Sequence, residues 1–137
     1  MRAPLLVSLI ALAAVATPLA ALAEVYKSDG CQVTVPDGWL ASRTRIATPD
    51  KKLWASLMRA QNAAEALQVE QSLNAAKVSE DAHMVLLVSS ASFAGMTNKQ
   101  YHAITKSSPS CVADVTSPAG PQEATARQIA ATVGLAR

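Results

Sequence analysis

Aromatic residues are scarce: two Trp, two Tyr and one Phe make 4% of the chain. Glycine is as sparse, with five in 137 residues, and the seven prolines follow no period. That excludes collagen-like and low-complexity architectures, and it leaves neither a GxGxxG nor a GxxxxGK[ST] loop to cradle a phosphate. Charge is low and balanced, with 12 Lys+Arg against 10 Asp+Glu. Arg2 is the one charged residue of the first 23, so the rest of the chain is nearly neutral. A nucleic-acid partner is therefore not expected, because such a partner calls for a basic patch. With two His and two Cys, the chain has no His-x-x-x-His, HExxH or CxxC spacing, and no metal or other cofactor is expected.

What is present begins with the N-terminus. Arg2 gives a short basic start, Leu5 to Ala16 is an apolar run, and Pro18 breaks it. Ala21-Leu22-Ala23 then places small residues where a signal peptidase requires them. Residues 1–23 read as a signal peptide cleaved after Ala23, leaving 24–137 as a single small domain. The run is too short to span about 30 Å of hydrocarbon, and no later segment is long enough, so no membrane span is expected after cleavage. The Ala-rich leader suggests a bacterium, hence a periplasmic or secreted protein.

An oxidising compartment gives the two cysteines a joint meaning. Cys31 and Cys111 each open a period-2 stretch, Cys31-Gln32-Val33-Thr34-Val35 and Cys111-Val112-Ala113-Asp114-Val115. In each, the thiol shares a strand face with apolar residues, so a disulfide between two core-facing strands is expected.

Ser28-Asp29-Gly30 and Pro36-Asp37-Gly38 are turn chemistry. Leu40 to Thr48 reads as a strand carrying Arg43 and Arg45 on one face. Residues 49–60 are ambiguous. Thr48-Pro49-Asp50 starts a helix as readily as a hairpin, but a helix running to Lys77 would be about 43 Å long. Compactness favours a strand followed by a helix over Asn62 to Lys77, with Ala66, Val69, Leu73 and Ala76 as its apolar face. His83 to Val88 reads as a central strand, Tyr101 to Lys106 and the Cys111 segment as further strands. Pro121 opens a last helix with Ala126, Ile129, Ala130 and Val133 buried. The fold class is α+β: an antiparallel sheet with two helices packed on one face and one disulfide.

The order of these elements, with Val35-Pro36-Asp37-Gly38-Trp39 after an early strand, resembles the PsbP-like exported domains. That resemblance implies a non-enzymatic accessory or binding domain and carries over no ligand residues, since the turn is structural.

Catalytic machinery is thin. Ser89-Ser90-Ala91-Ser92 lacks the glycines of a nucleophile elbow. Asp81-Ala82-His83 is more simply a strand entry, His102 is likewise read as structural, and Glu65 and Glu70 read as solvated helix positions. Asp114 lies on the polar face of its strand. No catalytic residue is expected, and the chain reads as non-enzymatic. The one positive feature is a cationic rim of Arg43, Arg45, Lys51 and Lys52 around the Pro49-Asp50 turn, with Trp39 nearby, suited to an anionic group on a partner. The expected function is a small exported binding or accessory protein of the bacterial envelope with a periplasmic protein partner. The alternative is a periplasmic inhibitor or immunity protein acting on an envelope hydrolase or toxin.

Overall fold

Alternation in the first cysteine segment folds as a strand that buries every second residue. The structure, a computed structural model, describes residues 21–137. The expected leader therefore lies outside the described residues, save its last three. β1 (Leu22–Ser28) and β2 (Cys31–Pro36) form a hairpin around Asp29-Gly30, both at positive φ. Glu24 to Ser28 pair with β2 beyond the expected cleavage point. β10 (Gly134–Leu135) adds to the other edge of β2, completing a three-stranded sheet.

The larger sheet has seven strands in the order β3-β4-β5-β9-β8-β7-β6, all antiparallel. β3 (Leu40–Ala41) and β4 (Ile46–Ala47) are short because Ser42 to Arg45 form a tight turn, where one continuous strand was expected. Thr48 closes the next turn by donating its N–H to the Leu53 carbonyl at 2.9 Å, so β5 (Trp54–Ala60) is the strand that compactness favoured. β6 (Ala76–Glu80) forms one edge, beside β7 (Met84–Phe93). β8 (Met96–Thr105) joins β7 through Ala94-Gly95, and β9 (Ser110–Pro118) is the central strand. β7, expected at the centre, is next to the edge.

The fold is α+β, with antiparallel pairing throughout and one disulfide. The helices, expected on one face, instead take opposite faces. α2 (Glu123–Ala130) buries Ala126, Ile129 and Ala130 against the face that carries Ala103, Ala113, Val115 and Leu86, and Val133 joins them as expected. The three-stranded sheet covers the same face, and Cys31–Cys111 ties the two layers with Cα atoms 5.7 Å apart. α1 (Ala63–Ser72) packs on the other face, over Val85, Leu87, Ile104 and Val112. The physical reason is that β8 and β9 bury residues on both faces, so each face needs a cover.

α1 is also shorter than expected, since Asn74 takes a positive φ of 65° and turns the chain into β6. Its buried stripe is Ala66 and Glu70, whereas Val69, Leu73 and Ala76 are exposed. Asn62 caps the helix, its Oδ1 accepting the Glu65 N–H at 2.9 Å. Asn62→Ala is expected to cost about 1 kcal/mol, read as a shift in the urea midpoint without a change in slope.

Candidate functional site

The expected cationic rim is only partly assembled. Arg45 and Lys51 line a cavity of about 370 Å³ between the β3–β4 hairpin and β5, with Leu40, Ala47, Pro49 and Trp54 among its apolar walls. The Arg45 guanidinium sits 4.1 Å from the Trp54 ring centroid, a stacked cation–π pair. No acid lines this cavity. Asp50 lies outside it, its carboxyl held below the usual range by the Thr48 hydroxyl and then by the Lys52 N–H.

Arg43 and Lys52 are exposed and do not line the cavity. Trp39, placed beside the rim by sequence, is 8% exposed in the core under the three-stranded sheet and α2. The aromatic residue at the cavity is Trp54, which pairs with Ala47 on the opposite face of the hairpin. The signal for it was the same strand alternation: Leu53 and Ala55 face the core, so Trp54 faces away.

A second constellation went unforeseen. Four strands lay Trp54, Thr116, Gln100 and Ser89 in one cross-sheet row, and the next row on that face is Ser56, Asp114, His102 and Leu87. His102, 3% exposed, places Nδ1 2.6 Å from Asp114 Oδ1 and 3.0 Å from Glu70 Oε2. Its Nε2 lies 2.9 Å from Ser89 Oγ. Glu70 descends from α1 onto the ring and is 4% exposed, with Oε2 buried and lacking a hydrogen-bond partner. Burial, then the Asp114 carboxylate, raises the Glu70 pKa, and the nearby His102 opposes that rise. Ser89 also lines a cavity of about 220 Å³ with Trp54, Asn98, Gln100 and Thr116, beyond the area α1 covers.

The Asp81–His83 pair has a structural role. Asp81 Oδ1 accepts the backbone N–H of His83 at 2.7 Å and of Met84 at 3.0 Å, which lowers its pKa. His83 is exposed at the entry to β7, beside Lys106.

No protein-family model and no curated protein matches the chain. The fold does have a solved neighbour, a protein of Bacteroides thetaiotaomicron VPI-5482 determined at 1.50 Å. The two superpose with a TM-score of 0.58 at 14% identity, over 85% of this chain and 50% of that one. The chain thus spans about half the length of that neighbour. The similarity is one of fold.

Among the described residues, no helix is long and apolar enough to cross a membrane.

Proposed function

We propose that the chain is an exported, non-catalytic binding or accessory domain of the bacterial envelope, related in role to the PsbP-like domains it resembles. Its ligand group is an anion with an apolar body, held in the Arg45–Lys51–Trp54 cavity. The observation that carries this reading is the stack of Arg45 on Trp54 at 4.1 Å, beside a second cation and with no acid in the lining. Stacking pre-orders the guanidinium fork and turns its donors toward a carboxylate or phosphate group. The volume of about 370 Å³ is in the range of small-ligand clefts. Export is supported by the leader pattern of residues 1–23 and by a disulfide that belongs to an oxidising compartment. The Val35–Trp39 turn, which buries Trp39 after Gly38 at φ +90°, supports the resemblance.

A second reading, the inhibitor, draws on the β7–β8 hairpin. Its tip carries Phe93 at 85% exposure and Met96 at 57%, an apolar point fit to enter a cleft on another protein. Affinity capture from envelope extract on the oxidised protein separates the two. The double variant Arg45→Ala/Lys51→Ala is expected to weaken retention of the bound species at least about tenfold, with thermal unfolding unchanged. Undiminished retention sinks the cavity reading. A protein held at 1:1 and released by Phe93→Asp alone replaces it with the inhibitor.

A further inference from the structure

We infer that Glu70, His102 and Asp114 form a binding site for a divalent transition-metal ion of the zinc class. This goes beyond the proposed anion cavity and stands independently of it. Glu70, His102 and Asp114, on three different elements, each offer a donor atom within 4.8 Å of the other two. The closest pairs are 2.6 and 3.0 Å apart, so one ion at about 2.0–2.2 Å from each donor needs only small outward shifts.

An independent observation points to a ligand. A single proton on His102 Nδ1 can be given to Asp114, with which it makes the short bond, but not to Glu70 as well. Glu70 Oε2 is left buried without a hydrogen-bond partner, on a helix face where its neighbours Ala66 and Leu67 are apolar. Buried carboxylates are ordinarily paired or bound to metal. A dication in place of the proton uses all three donors together.

The surroundings fit the same ion. With Nδ1 on the metal, Nε2–H donates to Ser89 Oγ at 2.9 Å, the outer hydrogen bond that fixes the tautomer of a ligating imidazole. One nitrogen and two carboxylate oxygens suit Zn²⁺, Mn²⁺ or Co²⁺ better than Ca²⁺, which takes six to eight oxygens. Asp114, at 22% side-chain exposure, is the most open of the three and provides the way in and room for a water ligand. Ser89, His102 and Asp114 also trace the order of an acyl-transfer triad. That arrangement gives Glu70 no part, and Ser89 lies inside a regular strand, paired with Gln100, where a triad serine sits on a strained turn.

The test is calorimetric titration of ZnCl₂ into the untagged, oxidised, EDTA-stripped protein, with the visible spectrum of Co²⁺ as a second readout. One equivalent of Zn²⁺ is expected. Glu70→Gln and Asp114→Asn are each expected to weaken binding about 100-fold, Ser89→Ala about tenfold, and His83→Ala not at all. Near-ultraviolet circular dichroism verifies that each variant is folded. Asp114→Asn, at the most open position, tests the site independently of the buried Glu70. Absence of Zn²⁺ and Co²⁺ binding overturns the site, as does binding undiminished in Asp114→Asn. Stoichiometric labelling of Ser89 by a fluorophosphonate, lost in His102→Gln, overturns it in favour of acyl transfer.

Discussion

Replacing Cys31 and Cys111 together by alanine is expected to lower stability by about 4–5 kcal/mol. The bridge closes a loop with a sequence separation of 80, and in the chain-entropy model that length sets the size of the effect. Its position makes the effect felt in the native state as well. Cys31 belongs to the three-stranded sheet and Cys111 to the central strand of the larger one, and both are fully buried among Val33, Val35 and Ala113. Without the bridge the two layers are held by side-chain packing in the shared core and by the Arg59 N–H donated to Asp29 Oδ2 at 2.9 Å. A domain of this size has about 5–15 kcal/mol in total, so the double variant is expected to be marginal. Urea unfolding of oxidised and Cys31→Ala/Cys111→Ala protein measures it. A difference under about 1 kcal/mol would mean that the unfolded chain is already constrained as the bridge constrains it. Burial of both sulfurs further implies that dithiothreitol reduces the native protein slowly, and only through unfolding.

The disulfide was legible because period-2 alternation is local: Cys31 to Val35 and Cys111 to Val115 each display their buried face within five residues. The stripe Ala126, Ile129, Ala130 and Val133 was legible from an equally local helical period, whereas the hairpin before Trp54 was ambiguous in local pattern and was favoured by compactness. The β6 strand was not. Ala76 to Glu80 is exposed along its whole length, so no face was selected by burial, and the preceding Ala, Leu, Glu and Gln favour a helix that runs on. Asn74, able to take a positive φ, was the one local sign of the stop. The His102 site depends on register instead. Ser89, His102 and Asp114 lie on three strands, and only the pairings Leu87 with His102 and His102 with Asp114 bring them together. A sequence read alone does not supply those pairings. Glu70 carried a faint signal, falling four residues after Ala66 and three after Leu67, where a core-facing helix position is expected. Reading the stripe as Ala66, Val69, Leu73 and Ala76 put Glu70 on the solvent side. The cationic rim was half legible: charge near a turn can be seen in the sequence, but which side chains face the same cavity is again set by pairing.

Glu70→Gln is expected to stabilise the metal-free protein at pH 8 by about 1–3 kcal/mol, an unusual sign for the loss of a buried polar contact. Burial raises the Glu70 pKa above its ordinary 4.5, and the Asp114 carboxylate adds to this. The native state then holds the proton more tightly than the unfolded chain. Stability from this group is complete below the unfolded value and falls as pH rises through the native one, after which the cost of the buried charge is constant. Glutamine has the same shape and no charge, and its amide can donate to Asp114, so the cost disappears. Other acids run the opposite way. Glu80, lowered to about 2 by Lys106 and then Lys77, and Asp81 and Glu123, lowered mainly by backbone N–H groups, lose their contributions as pH falls. Those residues are common to both proteins, so the difference between variant and wild type isolates Glu70. Urea midpoints taken in EDTA from pH 4 to 8 are expected to show that difference shrinking toward zero as pH falls to the unfolded value. A variant less stable than wild type at pH 8 would mean that Glu70 is ionised and that its attraction to His102 outweighs the loss of water. Saturating Zn²⁺ is expected to reverse the order at pH 8, because the ion binds the protein that retains the carboxylate about 100-fold more tightly and stabilises it correspondingly more.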